Sequence, residues 1–261
     1  MQSPEKLLKK LERPGKSHKG QNGKVGVIGG SRDFSGAPAL NARGALRTGS
    51  DLVKILTSKE VSDVVRSYSE NFIVEDYQSD YFGEEACEKA KKMSEWADAV
   101  VVGSGLSSAD GDYLKEFAEA TEAPLVVDAD AIAPLMDAAF EKAVFTPHEA
   151  EAEILREKFG SLEDFVGEKD AVVLLKGEKD KIIAPEESFE NTSGHATMTV
   201  GGTGDVLAGA VSSLIAQGLE ITEAARLGAW VNGRAGEISA EQYGNAALAT
   251  DIAENLPEAF R

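Results

Sequence analysis

The sequence predicts an α/β fold, with a mostly parallel central sheet and helices on both faces. Three observations carry that prediction. Short, nearly continuous apolar runs alternate with helix-period segments through most of the chain, the pattern of strands buried on both sides. Polar and glycine-rich clusters follow five of those runs, where strands would feed their helices. The chain then closes with three helical segments and no further strand.

Lys24–Ile28 opens the sheet as a β-branched run, and a helix over Ala37–Thr48 follows its glycines. Asp51–Thr57 reads as the second strand and Lys59–Arg66 as its helix. Phe72–Glu75 is a short third strand before the charged helix Glu84–Trp96. Ala97–Val102, ending in three valines, precedes a helix over Asp112–Ala120. Pro124–Asp128 and Ala143–Thr146 are strands that lead into helices at Ala131–Ala138 and Glu149–Lys158. Val172–Lys176 is the seventh strand. Lys181–Ala184 and Ser188–Asn191 form a hairpin around Pro185, placed at a sheet edge because proline cannot donate to a ladder. Helices over Gly204–Gln217, Thr222–Glu241 and Ala247–Leu256 end the chain. No repeat, linker or low-complexity stretch interrupts the pattern, so residues 1–261 are expected to form a single domain.

A chain of 261 residues, 42% hydrophobic and 28% charged, can bury a sizeable core. Its formal charge of −18 argues against nucleic acid or an anionic membrane as partner. No apolar run approaches membrane-spanning length, and Met1–Lys10 is charged rather than signal-like, so a cytoplasmic protein is expected. The single cysteine, Cys87, excludes an internal disulfide and fits a reducing compartment. Its acidic neighbours disfavour the thiolate, which makes it a poor nucleophile.

The most informative stretch is Met198-Thr-Val-Gly-Gly-Thr-Gly-Asp-Val-Leu-Ala-Gly209. Its glycines let backbone N–H groups turn toward a ligand, and the following helix adds positive potential at its N-terminus. Asp205 sets a carboxylate beside that anion hole, and the two together are equipment for phosphoryl transfer. A Walker A loop is excluded, because Asp205 stands where lysine would be required. A glycine-rich turn that merely caps a buried helix fits the spacing equally well. The rim decides between them. Gly29–Ala37, Gly103–Leu106, Asp128–Asp130, Thr146–Glu151 and Lys176-Gly177 all fall at carboxyl ends of strands, where open α/β sheets bind ligands.

Within that rim each constellation has two readings. Gly26, Gly29 and Gly30 with Asp51 downstream suggest a dinucleotide turn and ribose contact, but the spacing is not G-x-G-x-x-G and a plain strand-to-helix turn serves as well. His148 and Glu151 share one helix face, so Glu151 could hold Mg²⁺ through water, whereas Glu149 reads as a solvated cap. Zinc is excluded by the lack of a Cys/His cluster. Asp128 and Asp130 either share a proton or help orient a metal, or cap the next helix. Lys176 ends an apolar strand and could meet a phosphate as a point charge.

Taken with His18-Lys-Gly20, Val25–Ser31, Ser35-Gly-Ala37, Val126–Asp130, Leu175-Lys-Gly177 and the run from Asn191 to Gly209, these motifs resemble the NAD(P)H-hydrate dehydratase family of the ribokinase-like superfamily. The resemblance keeps the family's order over nearly the whole chain, and Gly201–Gly209 is its most specific block. It implies a ribokinase-like three-layer fold and repair of hydrated NADH or NADPH (NADHX, NADPHX) as their S-epimers. ADP or ATP would be the co-substrate, with Mg²⁺. Asp205 would take the proton of the ring 6-hydroxyl as that oxygen attacks the terminal phosphate. The backbone of Gly202, Thr203 and Gly204 would hold the developing charge. Elimination of phosphate would then restore the ring.

The same resemblance places Ala37, Gly105, His148 and Asp205 on the hydrated cofactor. It places Lys176, Gly177, Glu178, Lys179, Asp180 and Gly204 on the adenine nucleotide, and Glu151 at the Mg²⁺ position. Two departures stand out: Ser104 where many relatives have proline, and His195-Ala196-Thr197 in place of a proline-glycine run. A homo-oligomer and a separate NAD(P)HX epimerase as working partner are expected, since the epimerase domain fused in some relatives has no counterpart here. Two rivals remain open at this stage, a small-molecule kinase of the same superfamily and a non-catalytic nucleotide-binding module.

Overall fold

Parallel order follows from the alternation of strands and helices, and a computed structural model shows it; the structure describes residues 4–13 and 15–261. Met1–Ser3, the start of the charged N-terminal stretch, lie outside the described residues. In chain order the helices and strands are α1 (Pro4–Leu8), β1 (Lys24–Ile28), α2 (Ala37–Thr48), β2 (Leu52–Ser58), α3 (Lys59–Ser67), β3 (Ile73–Tyr77), α4 (Glu84–Trp96) and β4 (Ala99–Val102). There follow α5 (Gly111–Ala120), β5 (Leu125–Val127), α6 (Ile132–Leu135), β6 (Ala143–Phe145), α7 (Glu149–Phe159), α8 (Leu162–Lys169) and β7 (Val172–Leu175). The edge strands β8 (Asp180–Ile183) and β9 (Ser188–Asn191) precede α9 (Thr203–Ala216), α10 (Ile221–Tyr243) and α11 (Ala249–Ala259).

The strands form a mixed nine-stranded sheet in the order β3-β2-β1-β4-β5-β6-β7-β8-β9. Strands β1 to β7 pair in parallel, and β8 and β9 add an antiparallel edge hairpin. The chain first grows outward from β1 through β2 and β3, then restarts on the other side of β1 with β4. That reversal opens a crevice at the carboxyl ends of β1 and β4, the place where such sheets take ligands. Among the described residues no helix is long and apolar enough to cross a membrane.

Successive strand residues bury on opposite faces, as the period of two demands. Ile28, Val100, Val102, Val127, Phe145 and Val173 face α4, α5, α7 and α8. Val101, Val126, Val144 and Leu174 face the α9–α11 layer, and Val25, Val27, Val53 and Ile55 face α2 and α3. The aromatic centre of the first face is Phe165, fully buried and edge-on to Phe145 and Phe159 with ring centroids 5.0 Å away in each case. Phe165→Ala is expected to cost about 3–5 kcal/mol of unfolding free energy, read from the shift in denaturant midpoint.

The expected strands and helices all occur, with ends displaced by one to a few residues. Two corrections are larger. The expected helix over Ala131–Ala138 is a 3-10 turn at Ala129–Ala131 running into the four-residue α6, because Ala129 sits at φ +48° and the chain must turn sharply off β5. α8 was not expected at all; Ser161 starts it by accepting the Asp164 N–H at 3.0 Å.

Candidate active site

The carboxyl rim is laced together by the strand-end loops. The N–H of Gly30 donates to the Ser104 carbonyl at 3.0 Å, the Ser31 and Ser107 hydroxyls meet at 2.8 Å, and the Ser107 N–H donates to Asp130 at 2.8 Å. Gly29 must be glycine, since a Cβ there would overlap the Ser104 carbonyl oxygen. The N–H of Lys176 donates to the Pro147 carbonyl at 2.8 Å, which ties the exit of β7 to that of β6. These loops form the floor on which the polar side chains stand.

α9 supplies the anion hole. Gly202, at φ +95°, turns the chain into the helix in a conformation that side chains resist, and no side chain caps the first turn. The N–H groups of that turn therefore face the cleft with the positive end of a 14-residue helix behind them. Two glycines seat the helix. A Cβ at Gly209 would overlap the Asn41 carbonyl oxygen, and one at Gly44 the Val206 carbonyl oxygen, so α2 and α9 touch backbone to backbone. From α2 the Asn41 amide donates to the Asp205 carbonyl at 2.8 Å.

Asp205 stands in the first turn of α9, half-buried at the cleft. Its pKa is pushed up to about 7, first by burial and then by the charge of Asp128, with Asp130 adding to them. The nearby Ser104 hydroxyl and the charge of Lys176 pull the other way and lose. Such a carboxyl can take up and release a proton near neutrality. Lys176 lies beside the same turn, its Nζ 3.2 Å from where a Cβ of Gly204 would stand. Burial works against the ammonium, but the Asp128 carboxylate, hydrogen-bonded to it at 2.9 Å, together with the charges of Glu151 and Asp205, outweighs burial and raises its pKa.

A cavity of about 890 Å³ opens in front of the α9 N-terminus. Lys176, Gly177, Glu178, Lys179, Asp180 and Gly204, expected to contact the nucleotide, all line it, together with His148 and Thr203. Asp180 lends its carboxylate to the loop itself: Oδ1 accepts from the Gly177 N–H at 3.2 Å and Oδ2 from Asn191 at 3.2 Å. Ala37 and Gly105 lie against each other, since a Cβ at Gly105 would stand 2.9 Å from that of Ala37. Gly105 follows Ser104 directly, and Ala37 begins the helix that carries Asn41. Of the residues expected on the hydrated cofactor, His148 lines the cavity together with the nucleotide group, and Ala37 and Gly105 stand against each other outside its lining.

His148 and Glu151 form a reciprocal capping box at the start of α7. The His148 N–H donates to Glu151 Oε2 at 2.8 Å, and the Glu151 N–H donates to His148 Nδ1 at 3.3 Å. Glu151 Oε1 lies 3.4 Å from His148 Nε2. A carboxylate so engaged suits a hydrated cation held through water better than direct ligation. Glu149 pairs with Arg156 at the surface, as a solvated acid should.

Two residues come out differently from the plain sequence reading. Asp51 precedes β2, so it lies at the amino edge of the sheet, far from any ribose on the carboxyl rim. There it accepts from the Gly20 and Asn22 backbone at 2.8 and 3.1 Å and fixes the entry loop. Asp128 does not cap the following turn with its side chain; it is buried and paired with Lys176, while Asp130 accepts the Ser107 N–H. Asn41 and Asn232, which lines the cavity, carried no motif. Polar residues on otherwise small-residue helical faces were the available signal. Cys87 stays a poor nucleophile, its thiol pKa raised by burial, and the group it forms with Glu88 and Glu116 is filled by the Lys91 ammonium.

With the geometry in place, the comparisons are specific. The model of the NAD(P)H-hydrate dehydratase family matches residues 25–258. The ADP-dependent (S)-NAD(P)H-hydrate dehydratase of Haloterrigena turkmenica is 42% identical over 240 residues, covering 92% of this chain and 93% of that protein. The bifunctional NAD(P)H-hydrate repair enzyme Nnr of Methanothermobacter thermautotrophicus is 37% identical over 94% of this chain, which spans 51% of it. Two solved structures share the fold. The ADP/ATP-dependent NAD(P)H-hydrate dehydratase of Bacillus subtilis, co-crystallized with ATP/Mg²⁺, superposes with a TM-score of 0.83 at 23% identity, covering 99% of this chain and 98% of its own. A ribokinase-like superfamily protein of Enterococcus faecalis reaches 0.85 at 24% identity over 98% of this chain and 93% of its own. The chain belongs to the NAD(P)H-hydrate dehydratase family.

Proposed function

We infer that this chain is an ADP-dependent (S)-NAD(P)H-hydrate dehydratase, returning hydrated NADH and NADPH to NADH and NADPH. The observation that carries this reading is Asp205, a carboxyl whose pKa is pushed up to about 7, beside uncapped helix N–H groups and a lysine. Asp205 accepts the proton of the ring 6-hydroxyl while its oxygen attacks the terminal phosphorus of ADP. The backbone N–H groups of Gly202, Thr203 and Gly204, with Lys176, hold the charge that develops on the transferred group. AMP leaves. The ring nitrogen's lone pair then expels phosphate to give an iminium, and loss of the C5 proton re-forms the ring double bond.

Ala37, Gly105 and His148 hold the hydrated cofactor. Lys176, Gly177, Glu178, Lys179, Asp180 and Gly204 hold the nucleotide, Asp180 by shaping the loop. Mg²⁺ would offset phosphate charge, and Glu151 would be the residue that helps hold it. ATP serves in the same site, with ADP in place of AMP as product. Residues 1–261 act as one domain in the cytoplasm, where the cofactor pool is. A homo-oligomer fits the family. Because ring hydration yields both epimers, a separate epimerase supplies the S form.

The test is recovery of reduced-nicotinamide absorbance from hydrated NADH with Mg²⁺ and ADP, alongside one AMP and one phosphate per cofactor restored. A stable phosphoester of the hydrate, with no absorbance recovered, would make the protein a kinase instead. The pH dependence has a definite sign. Asp205 works deprotonated, so kcat/KM should rise about tenfold per pH unit up to about 7 and level off above it. A profile flat between pH 5 and 8 would remove Asp205 as the base.

A further inference from the structure

Asp128 is a buried acid that the reaction, as written, gives no task. Its side chain is 3% exposed. Oδ1 accepts from the Thr146 hydroxyl at 2.7 Å and from Lys176 Nζ at 2.9 Å, and Oδ2 accepts from the Ser104 hydroxyl at 3.0 Å. The donors follow three different strands, β4, β6 and β7, so the carboxylate sits where three strand-end loops converge. Burying a charge costs stability unless partners satisfy it, and here they do.

The arrangement solves a problem that the site itself creates. A phosphate-binding ammonium and a proton-accepting carboxylate stand in one cleft shielded from water. Lys176 lies against Gly204, and Asp205 is the next residue. Opposite charges so placed attract, and a lysine that moved onto Asp205 would occupy its lone pairs and lower its proton affinity. In the structure the ammonium is bound to Asp128 instead.

We propose that Asp128 is a positioning residue that holds Lys176 away from Asp205, keeping the phosphate-binding cation and the proton acceptor separate. The proposal rests on the reading of Asp205 as the base. The groups bearing on Asp205 are Asp128 and Asp130 after β5, Ser104 after β4 and Lys176 after β7. Glu151 of α7 bears on Lys176 from the other side. From α2, Asn41 contacts only the Asp205 backbone. The Asp128 charge also acts directly on Asp205, after burial, to favour its protonated form.

The experiment needs no turnover: the Asp205 carboxyl carbon is followed by NMR through a pH titration, without nucleotide or Mg²⁺. Wild type should titrate near 7. Asp128→Asn keeps the shape and removes the charge, and Asp205 should then titrate lower by about one unit or more. Adding Lys176→Met to that variant should recover the part of the drop that the intruding ammonium causes, while the direct effect of the lost Asp128 charge stays. ADP affinity of Asp128→Asn should fall about tenfold with the lysine diverted. An Asp205 midpoint unchanged in Asp128→Asn, or a drop of undiminished size in the double variant, would overturn the proposal. Should Asp128→Asn not fold, Lys176→Met alone decides. With the lysine held by Asp128 its removal raises the Asp205 midpoint by less than about one unit, and a larger rise means the two were already paired. A wild-type protein that titrates as described yet restores no cofactor would refute the dehydratase reading and leave this one standing.

Discussion

Asp205→Asn is expected to lower kcat for cofactor recovery by about 10²–10⁴-fold, the usual share of a general base, while ADP binding is kept or tightened. The amide has the shape of the carboxyl and leaves the Asn41 contact to the Asp205 backbone in place. It cannot accept the hydroxyl proton. The same substitution has a second, opposite effect on stability. The Asp205 pKa rises from 3.8 to about 7 on folding. A group shifted upward contributes stability that is full below its unfolded value and lost as pH rises through its folded value. At pH 8 the folded wild type therefore carries an ionised, half-buried carboxylate that asparagine avoids. The variant should be more stable there by roughly 1–4 kcal/mol, an advantage that fades as the pH falls from about 7 towards 4. Thermal melts at pH 8 and pH 5 read it directly. A variant that is inactive and also less stable at pH 8 would mean Asp205 is a structural acid.

Gly103→Ala is expected to be the most damaging single methyl on the rim. Gly103 has φ +120°, and a Cβ there would overlap the Asp128 carbonyl oxygen and stand 2.8 Å from the Ala131 nitrogen. Backbone strain and overpacking together should cost about 3 kcal/mol or more. The displaced segment carries Asp128, so ADP affinity should fall with stability. Gly167→Ala is the control. That glycine lies on the exposed side of α8 with nothing within 4 Å of its would-be Cβ, and alanine there should stabilise by up to about 1 kcal/mol. Urea titrations of the two variants measure the difference.

The sheet was legible because its strands are short apolar runs of the right length, and the rim clusters marked its carboxyl edge. α8 was hidden by its eight residues, an exposed glycine and a period too brief to register. The break of the Ala131–Ala138 helix depended on the backbone of Ala129 and had no composition signal. Within the site, residues tied to the local glycine motif were readable from it. Those defined by distant partners were not. Asn41 meets a carbonyl 164 positions away, and Asp128 meets its lysine 48 positions away. Asp51 misled in the dinucleotide reading because spacing along the chain does not tell which edge of a sheet a residue occupies.

Carrying a heavy-oxygen label at the 6-hydroxyl of the hydrated cofactor tests the central claim most directly. If Asp205 turns that oxygen into a nucleophile at the terminal phosphorus, the label leaves the ring within inorganic phosphate, one atom per cofactor restored. Label recovered in water, with phosphate unlabelled, would mean that the ring loses hydroxide directly and that no phosphoryl group ever reaches it.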